Sequence, residues 1–149
     1  MKATELQIGD LVKIKGHLDY DKVQEIARDE NMQWYISFAC SATLFRAYEF
    51  ESVPLTPEIL EKNGFYDRNA QGYYTQWYHK RFLSNGCFDI AISLVYREIE
   101  VSKVCGAGTD CEEVEYGSSI AFGNDICAHT LQHVLRLYGL DELANNFKV

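Results

Sequence analysis

Short apolar runs separated by polar turns open this chain. Leu6, Ile8, Leu11, Val12 and Ile14 are apolar, and Gly9-Asp10 places a turn immediately before Leu11-Val12-Lys13-Ile14-Lys15. A polar turn at His17-Leu18-Asp19-Tyr20-Asp21 precedes a second strand holding Val23 and Ile26. Trp34-Tyr35-Ile36-Ser37-Phe38 and Leu44-Phe45-Arg46-Ala47-Tyr48-Glu49-Phe50 follow, with small residues between them. Short strands at spacings of about ten residues predict a small curled sheet or barrel.

The period then changes. Thr56-Pro57-Glu58-Ile59-Leu60-Glu61-Lys62-Asn63-Gly64-Phe65 predicts a helix. Thr56 can cap its free N–H groups, Pro57 sits where a missing donor costs nothing, and Gly64 can take the left-handed stop. A second β region runs from Tyr73 to Phe82. Asp89-Ile90-Ala91-Ile92-Ser93-Leu94 alternates, with Ile90, Ile92 and Leu94 on one face. Ile99 and Val101 continue in the opposite phase, which predicts a turn or bulge near Tyr96-Arg97-Glu98. Gly106-Ala107-Gly108-Thr109-Asp110 reads as a hairpin tip, with a return strand through Val114 and Tyr116. At the end, Ile126, Cys127, Leu131, Val134, Leu135 and Tyr138 keep a helical period, capped by Asn124 or Asp125 and stopped by Gly139.

The fold class is therefore α+β. Residues 1–54 are expected to form an SH3-like β-barrel or curled sheet, since Gly9-Asp10-Leu11-Val12 matches the Gly-Asp-x-Val step of such barrels. Residues 55–149 are expected to form a helix, an antiparallel sheet and the amphipathic C-terminal helix, packed with the first half as one unit.

Composition narrows the function classes. The 149 residues are 47% hydrophobic and 13% aromatic, which suits a globular chain rather than a disordered one. Fourteen Lys and Arg stand against 22 Asp and Glu, a formal charge of −8. That balance opposes nucleic-acid binding and docking on an anionic membrane, and favours a basic protein partner. Lys2-Ala3-Thr4-Glu5 carries no secretory leader pattern, and no apolar run is long enough to span a bilayer. The five cysteines, Cys40, Cys87, Cys105, Cys111 and Cys127, form no Cys-x-x-Cys pair and suit reduced thiols in a cytoplasm.

Three segments carry a resemblance. They are Lys2-Ala3-Thr4-Glu5-Leu6-Gln7-Ile8-Gly9-Asp10-Leu11-Val12; Pro54-Leu55-Thr56-Pro57-Glu58-Ile59-Leu60 with Gly64-Phe65; and His129-Thr130-Leu131-Gln132-His133 with Leu135 and Leu140. In this order the chain resembles a group of small uncharacterised proteins of gut anaerobic bacteria and their prophages. That family ends in His-x-Leu-Gln-x-Leu, which falls here on His129, Leu131, Gln132 and, with valine for the last leucine, Val134. The resemblance implies a phage or mobile-element setting and no particular chemistry.

Each candidate site has a plainer reading beside it. Cys127, His129 and His133 could hold a metal, because His129 and His133 stand at i and i+4 and Cys105 or Cys111 could complete a set. No tight ligand motif supports this, and a small core cysteine beside a hydrogen-bonded histidine accounts for the pattern better; no metal or other cofactor is expected. Gly106-Ala107-Gly108 is followed by acidic residues that would repel phosphate, so the turn reading wins.

Glu98, Glu100, Asp110, Glu112, Glu113 and Glu115 form an acidic hairpin. It could receive a basic partner, or simply stay solvated and discourage edge pairing. Tyr73, Tyr74, Trp77, Tyr78, His79, Lys80, Arg81 and Phe82 could stack on a peptide or single-stranded nucleic acid. In a strand Tyr73, Trp77 and Arg81 share one face and Tyr74, Tyr78 and Phe82 the other, so one set belongs to the core.

No catalytic motif stands out. The reading is a non-catalytic interaction or accessory protein of phage or mobile-element origin. Partner contacts are expected at Trp77, Tyr78, Lys80, Arg81, Glu112, Glu113 and Glu115, and self-association through the aromatic strand or the terminal helix is a further expectation. A nucleic-acid-associated small barrel and a small metal-dependent or hydrolytic enzyme are the rivals.

Overall fold

The computed structural model describes residues 5–17, 19–38, 41–46, 49–67, 77–82, 87–105 and 113–149. Its class is α+β: the described residues form two antiparallel sheets and three helices, with strands predominating. The chain divides into two compact units, one of Met1–Pro54 with Cys127–Phe147 and Val149, the other of Leu55–Ile126 with Lys148.

In the first unit, β1 (Leu11–Ile14), β2 (Tyr20–Arg28), β3 (Trp34–Phe38), β4 (Ser41–Arg46) and β5 (Phe50–Glu51) form a sheet in the order β4-β3-β2-β1-β5. The run Leu44–Phe50, expected as one strand, is divided between β4 and β5; the Glu49 carboxylate accepts from the Arg46 amide at 2.5 Å. Among the described residues β4 and β5 do not pair, so the sheet is open and the closed SH3-like barrel is not formed. Register explains the core. Leu6, Val12, Val23, Ile36, Phe38 and Phe50 are buried together, with Ile14, Ile26, Trp34 and Phe45 packed against them. The Phe38, Phe45 and Phe50 rings meet at 5.5–6.3 Å in tilted and edge-on arrangements that favour aromatic quadrupoles.

The chain returns to this unit at Cys127, which bridges to Pro54, while the Ala128 amide donates to Val53 O at 2.8 Å. Helix α2 (Ala128–Leu137) begins there. Its N-cap is Cys127, without a side-chain cap bond, rather than the expected Asn124 or Asp125. Asp125 instead pairs with Arg97, at 3.1 Å. Gly139, at φ 73°, ends α2 as expected. Its amide donates to Arg136 O and that of Leu140 to Leu135 O, the paired bonds of a left-handed helix stop. A short helix α3 (Asp141–Asn145) follows.

The second unit holds α1 (Pro57–Lys62), β6 (Tyr66–Asp67), β7 (Trp77–Phe82), β8 (Cys87–Ser93), β9 (Glu98–Cys105) and β10 (Glu113–Ala121). Its sheet runs β10-β9-β8-β7-β6. Helix α1 keeps every expected device: the Thr56 hydroxyl accepts from the Ile59 amide at 3.3 Å, Pro57 opens the helix, and Gly64 at φ 78° repeats the stop seen after α2. Ile90, Ile92, Ile99 and Val101 are fully buried or nearly so, and Ile90 faces Val101 while Ile92 faces Ile99. Leu94 leaves the strand and enters a four-residue turn over 94–97, where the phase change predicted one. The tip expected at Gly106–Asp110 lies outside the described residues, as do Tyr73, Tyr74, Cys40, Cys111 and Glu112.

Candidate functional site

The first unit carries its polar chemistry at the turn before β1. The Asp10 amide donates to Gln7 O at 3.1 Å, and the Gln7 amide donates back to Asp10 Oδ2 at 2.8 Å. Gly9 and Asp10 also exchange backbone bonds with Val23, at 2.6 and 2.9 Å. The Asp10 carboxylate is fully out of solvent.

Helix α2 supplies the partners. His129, Gln132, His133 and Arg136 stand at i, i+3, i+4 and i+7, a spacing that puts them on one helical face. His133 Nε2 lies 2.7 Å from Asp10 Oδ2 and Arg136 Nη1 donates to Asp10 Oδ1 at 2.6 Å. An ionised carboxylate only accepts, so Nε2 of His133 carries the proton in this pairing. The wholly buried Gln132 accepts from the Leu11 amide at 2.9 Å and donates to Gly9 O at 3.0 Å and Ala144 O at 2.8 Å. One side chain thereby joins β1, the turn before it and α3.

Both oxygens of Asp10 are engaged with α2, which makes the carboxylate an anchor for that helix. A buried carboxylate orienting an imidazole is also half of a hydrolytic triad. Here the same carboxylate is shared with a guanidinium, and that sharing fits anchorage better.

His129 differs from its neighbours. It is 9% exposed, its ring stands edge-on to that of His133 at 5.9 Å, and its buried Nδ1 has no hydrogen-bond partner among the described residues. Burial pushes its pKa down and the His133 ring adds to this, against the pull of Asp10 and Glu5. His129 and His133 thus share a face, as their spacing required. Among the described residues, however, no group of three or more His, Cys, Asp or Glu side chains is placed to hold a metal, and Cys127 serves as the helix N-cap.

The second unit separates the residues expected to bind a partner. Tyr78 is buried, and burial raises its pKa. It lies opposite Ile92, which faces Ile99, so Tyr78 belongs to the core face of the sheet. The half-buried Lys80 donates to the Asn63 carbonyl at the end of α1 and lies over the Phe82 and Phe65 rings, at 5.0 and 5.7 Å. Desolvation lowers its pKa, and these contacts give it a structural task. Arg81 is exposed and lies 3.6 Å from Asp89, which is also 3.7 Å from His79. Glu113 and Glu115 belong to β10.

Trp77 joins an exposed apolar feature. It is half-buried at the start of β7, with its ring 6.5 Å from that of Tyr96 in the turn between β8 and β9. Val95 and Tyr96 are 62% and 58% exposed. The turn carrying them is pinned. The Tyr96 amide donates to Ser93 Oγ at 3.1 Å, the Phe122 amide donates to Arg97 O at 2.8 Å, and Arg97 pairs with Asp125. Arg97 adopts φ 56°, a left-handed conformation uncommon for a side-chain-bearing residue. Trp77 faces Ser93, which faces Glu98, so tryptophan and carboxylate share a sheet face. Farther along β9 and β10, Glu100, Ser102, Gly117, Ser118 and Ser119 line a shallow hollow of about 250 Å³.

No protein-family model, curated protein or solved structure matches this chain. Functional reasoning therefore rests on geometry. Sequence reading missed Asp10, treated as a turn residue, together with Gln132, Arg136, Val95 and Tyr96. For α2 a signal existed: four polar residues at helical spacing beside the apolar stripe. For Val95 and Tyr96 none did, because an apolar pair near a strand end reads equally as core.

Proposed function

We propose that this chain is a non-catalytic accessory protein that binds another protein through the turn between β8 and β9. The observation that carries this reading is the exposed Val95–Tyr96 pair beside Trp77, held out by a turn with three anchors. Trp, Tyr and Arg are the residue types in which binding energy concentrates, and a pre-ordered turn loses little entropy when covered. Arg97 and Glu98 would form the polar rim. The acidic charge of the chain favours a partner whose contact surface is neutral or basic. The resemblance to prophage-associated proteins supports a phage or mobile-element setting, and the cysteine pattern supports a cytoplasmic one. No helix among the described residues is long and apolar enough to cross a membrane.

The test compares proteins captured from the host by the wild-type chain, by Val95→Asp/Tyr96→Ala, and by Leu137→Asp, which alters an exposed apolar residue of α2. A stoichiometric partner lost by the double variant and kept by Leu137→Asp is the expected result. Losing one aromatic hot spot costs about 2 kcal/mol or more, enough to deplete a micromolar complex. Equal capture by the wild type and the folded double variant, or no partner with any of them, would refute the proposal.

A further inference from the structure

We propose that His129 makes the first unit responsive to acid: in mildly acidic solution it takes up a proton and releases the first turn of α2 from the sheet that carries Asp10.

The geometry supplies three reasons why a charge at His129 is poorly tolerated. First, the ring is nine-tenths buried and its Nδ1 has no hydrogen-bond partner among the described residues, so the second N–H of an imidazolium would be buried without an acceptor. Second, His129 lies in the first turn of α2, a helix with no acidic residue in that turn and no side-chain cap. The N-terminal end of the helix dipole carries partial positive charge, which repels a cation. Third, its ring neighbour His133, 5.9 Å away, would itself be a cation once protonated.

The groups that oppose these effects are few. Asp10 and Glu5 attract a proton to His129, while the terminal amine acts the other way. Asp10 is the nearer of the two carboxylates to the cluster, and Arg136 already holds one of its oxygens at 2.6 Å. Its charge is therefore largely answered before His129 titrates.

The sign follows from proton counting. Below the ordinary histidine pKa of about 6.5 the unfolded chain protonates His129 while the folded chain resists. The stabilising contribution is complete above that pH and is lost as pH falls from it toward the lower folded value. A single proton changes the folded-to-open ratio by up to about tenfold per pH unit. Histidine is the side chain whose charge changes in this range with least perturbation.

The test is amide exchange of Leu131, Gln132 and His133, whose amides bond back to the first turn, in the full chain between pH 7.5 and 5.5, corrected for intrinsic rates. Protection should fall by up to about tenfold per pH unit below 6.5. Histidine-to-glutamine replacement at the exposed His17 should leave that fall intact, and His129→Gln or His129→Leu should abolish it. The same dependence in a folded His129 variant would overturn the proposal. Should neither variant fold, ring titration of His129 in the wild type decides: a pKa below 6.5 with falling protection supports the proposal, and a pKa at or above 6.5, or constant protection, refutes it.

Discussion

At the scale of single residues, two buried side chains hold the first unit together. Asp10 receives three donors, from Gln7, His133 and Arg136. Replacing it with alanine leaves a largely buried guanidinium without its carboxylate, a loss of about 3–5 kcal/mol for a buried pair broken on one side. Urea unfolding of Asp10→Ala should show that fall, and a change below 1 kcal/mol would mean that Arg136 finds water or another acceptor. Gln132 serves one backbone donor and two backbone acceptors. Gln132→Leu keeps an apolar-compatible side chain of similar size but orphans the Leu11 amide, so a cost of about 2–3 kcal/mol is expected from the same measurement. Neither role could be inferred from the residues alone. Asp in a Gly-Asp step is an ordinary turn residue, and glutamine in a helix is ordinarily solvated.

At the scale of elements, helix stops were the most legible features. Gly64 and Gly139 adopt φ 78° and 73°, and in each case the amides of the glycine and its successor bond back to the last turn. A side chain in this left-handed region costs about 1–2 kcal/mol. Gly139 has open space around it, so Gly139→Ala tests backbone strain alone and should lower the melting temperature by roughly 2–8 °C for a chain of this length. At Gly64 an added Cβ would also stand 3.1 Å from Lys80 Nζ. Gly64→Ala should therefore cost more than Gly139→Ala and displace the lysine from the Asn63 carbonyl. Equal melting temperatures for the two variants would show that Lys80 moves away freely. The start of α2 was less legible, because Asn124 and Asp125 carry strong capping chemistry. The bridge between Pro54 and Cys127 places the start one turn boundary later.

At the scale of the whole molecule, charge dominates. A net charge of −8 and a pI near 4.9 place minimal repulsion between copies close to pH 5. Light scattering should show a solubility minimum there, since net charge near zero promotes association. Neutralisation of surface carboxylates alone predicts recovery below that pH. Residual aggregation after return to pH 7.5 would indicate that the first unit opens in acid, as His129 requires. Keeping the three His17 and His129 variants alongside the wild type separates the two causes.

Local chemistry wrote the α+β class, most strand positions, the capped α1 and both left-handed stops into the sequence. Each depends on a few neighbouring residues whose backbone preferences or alternation act over one or two turns. The burial of Asp10 depended instead on α2 returning to the turn before β1 across a sequence separation of more than 120 residues. The same holds for the distribution of the aromatic strand, with Tyr78 in the core, Lys80 on a helix end and Trp77 beside an exposed turn. Pairing with distant strands decides which face is covered, and alternation states only that the two faces differ. Openness of the first sheet was settled in the same way, because closure requires its end strands to meet and spacing along the chain carries no information about that meeting.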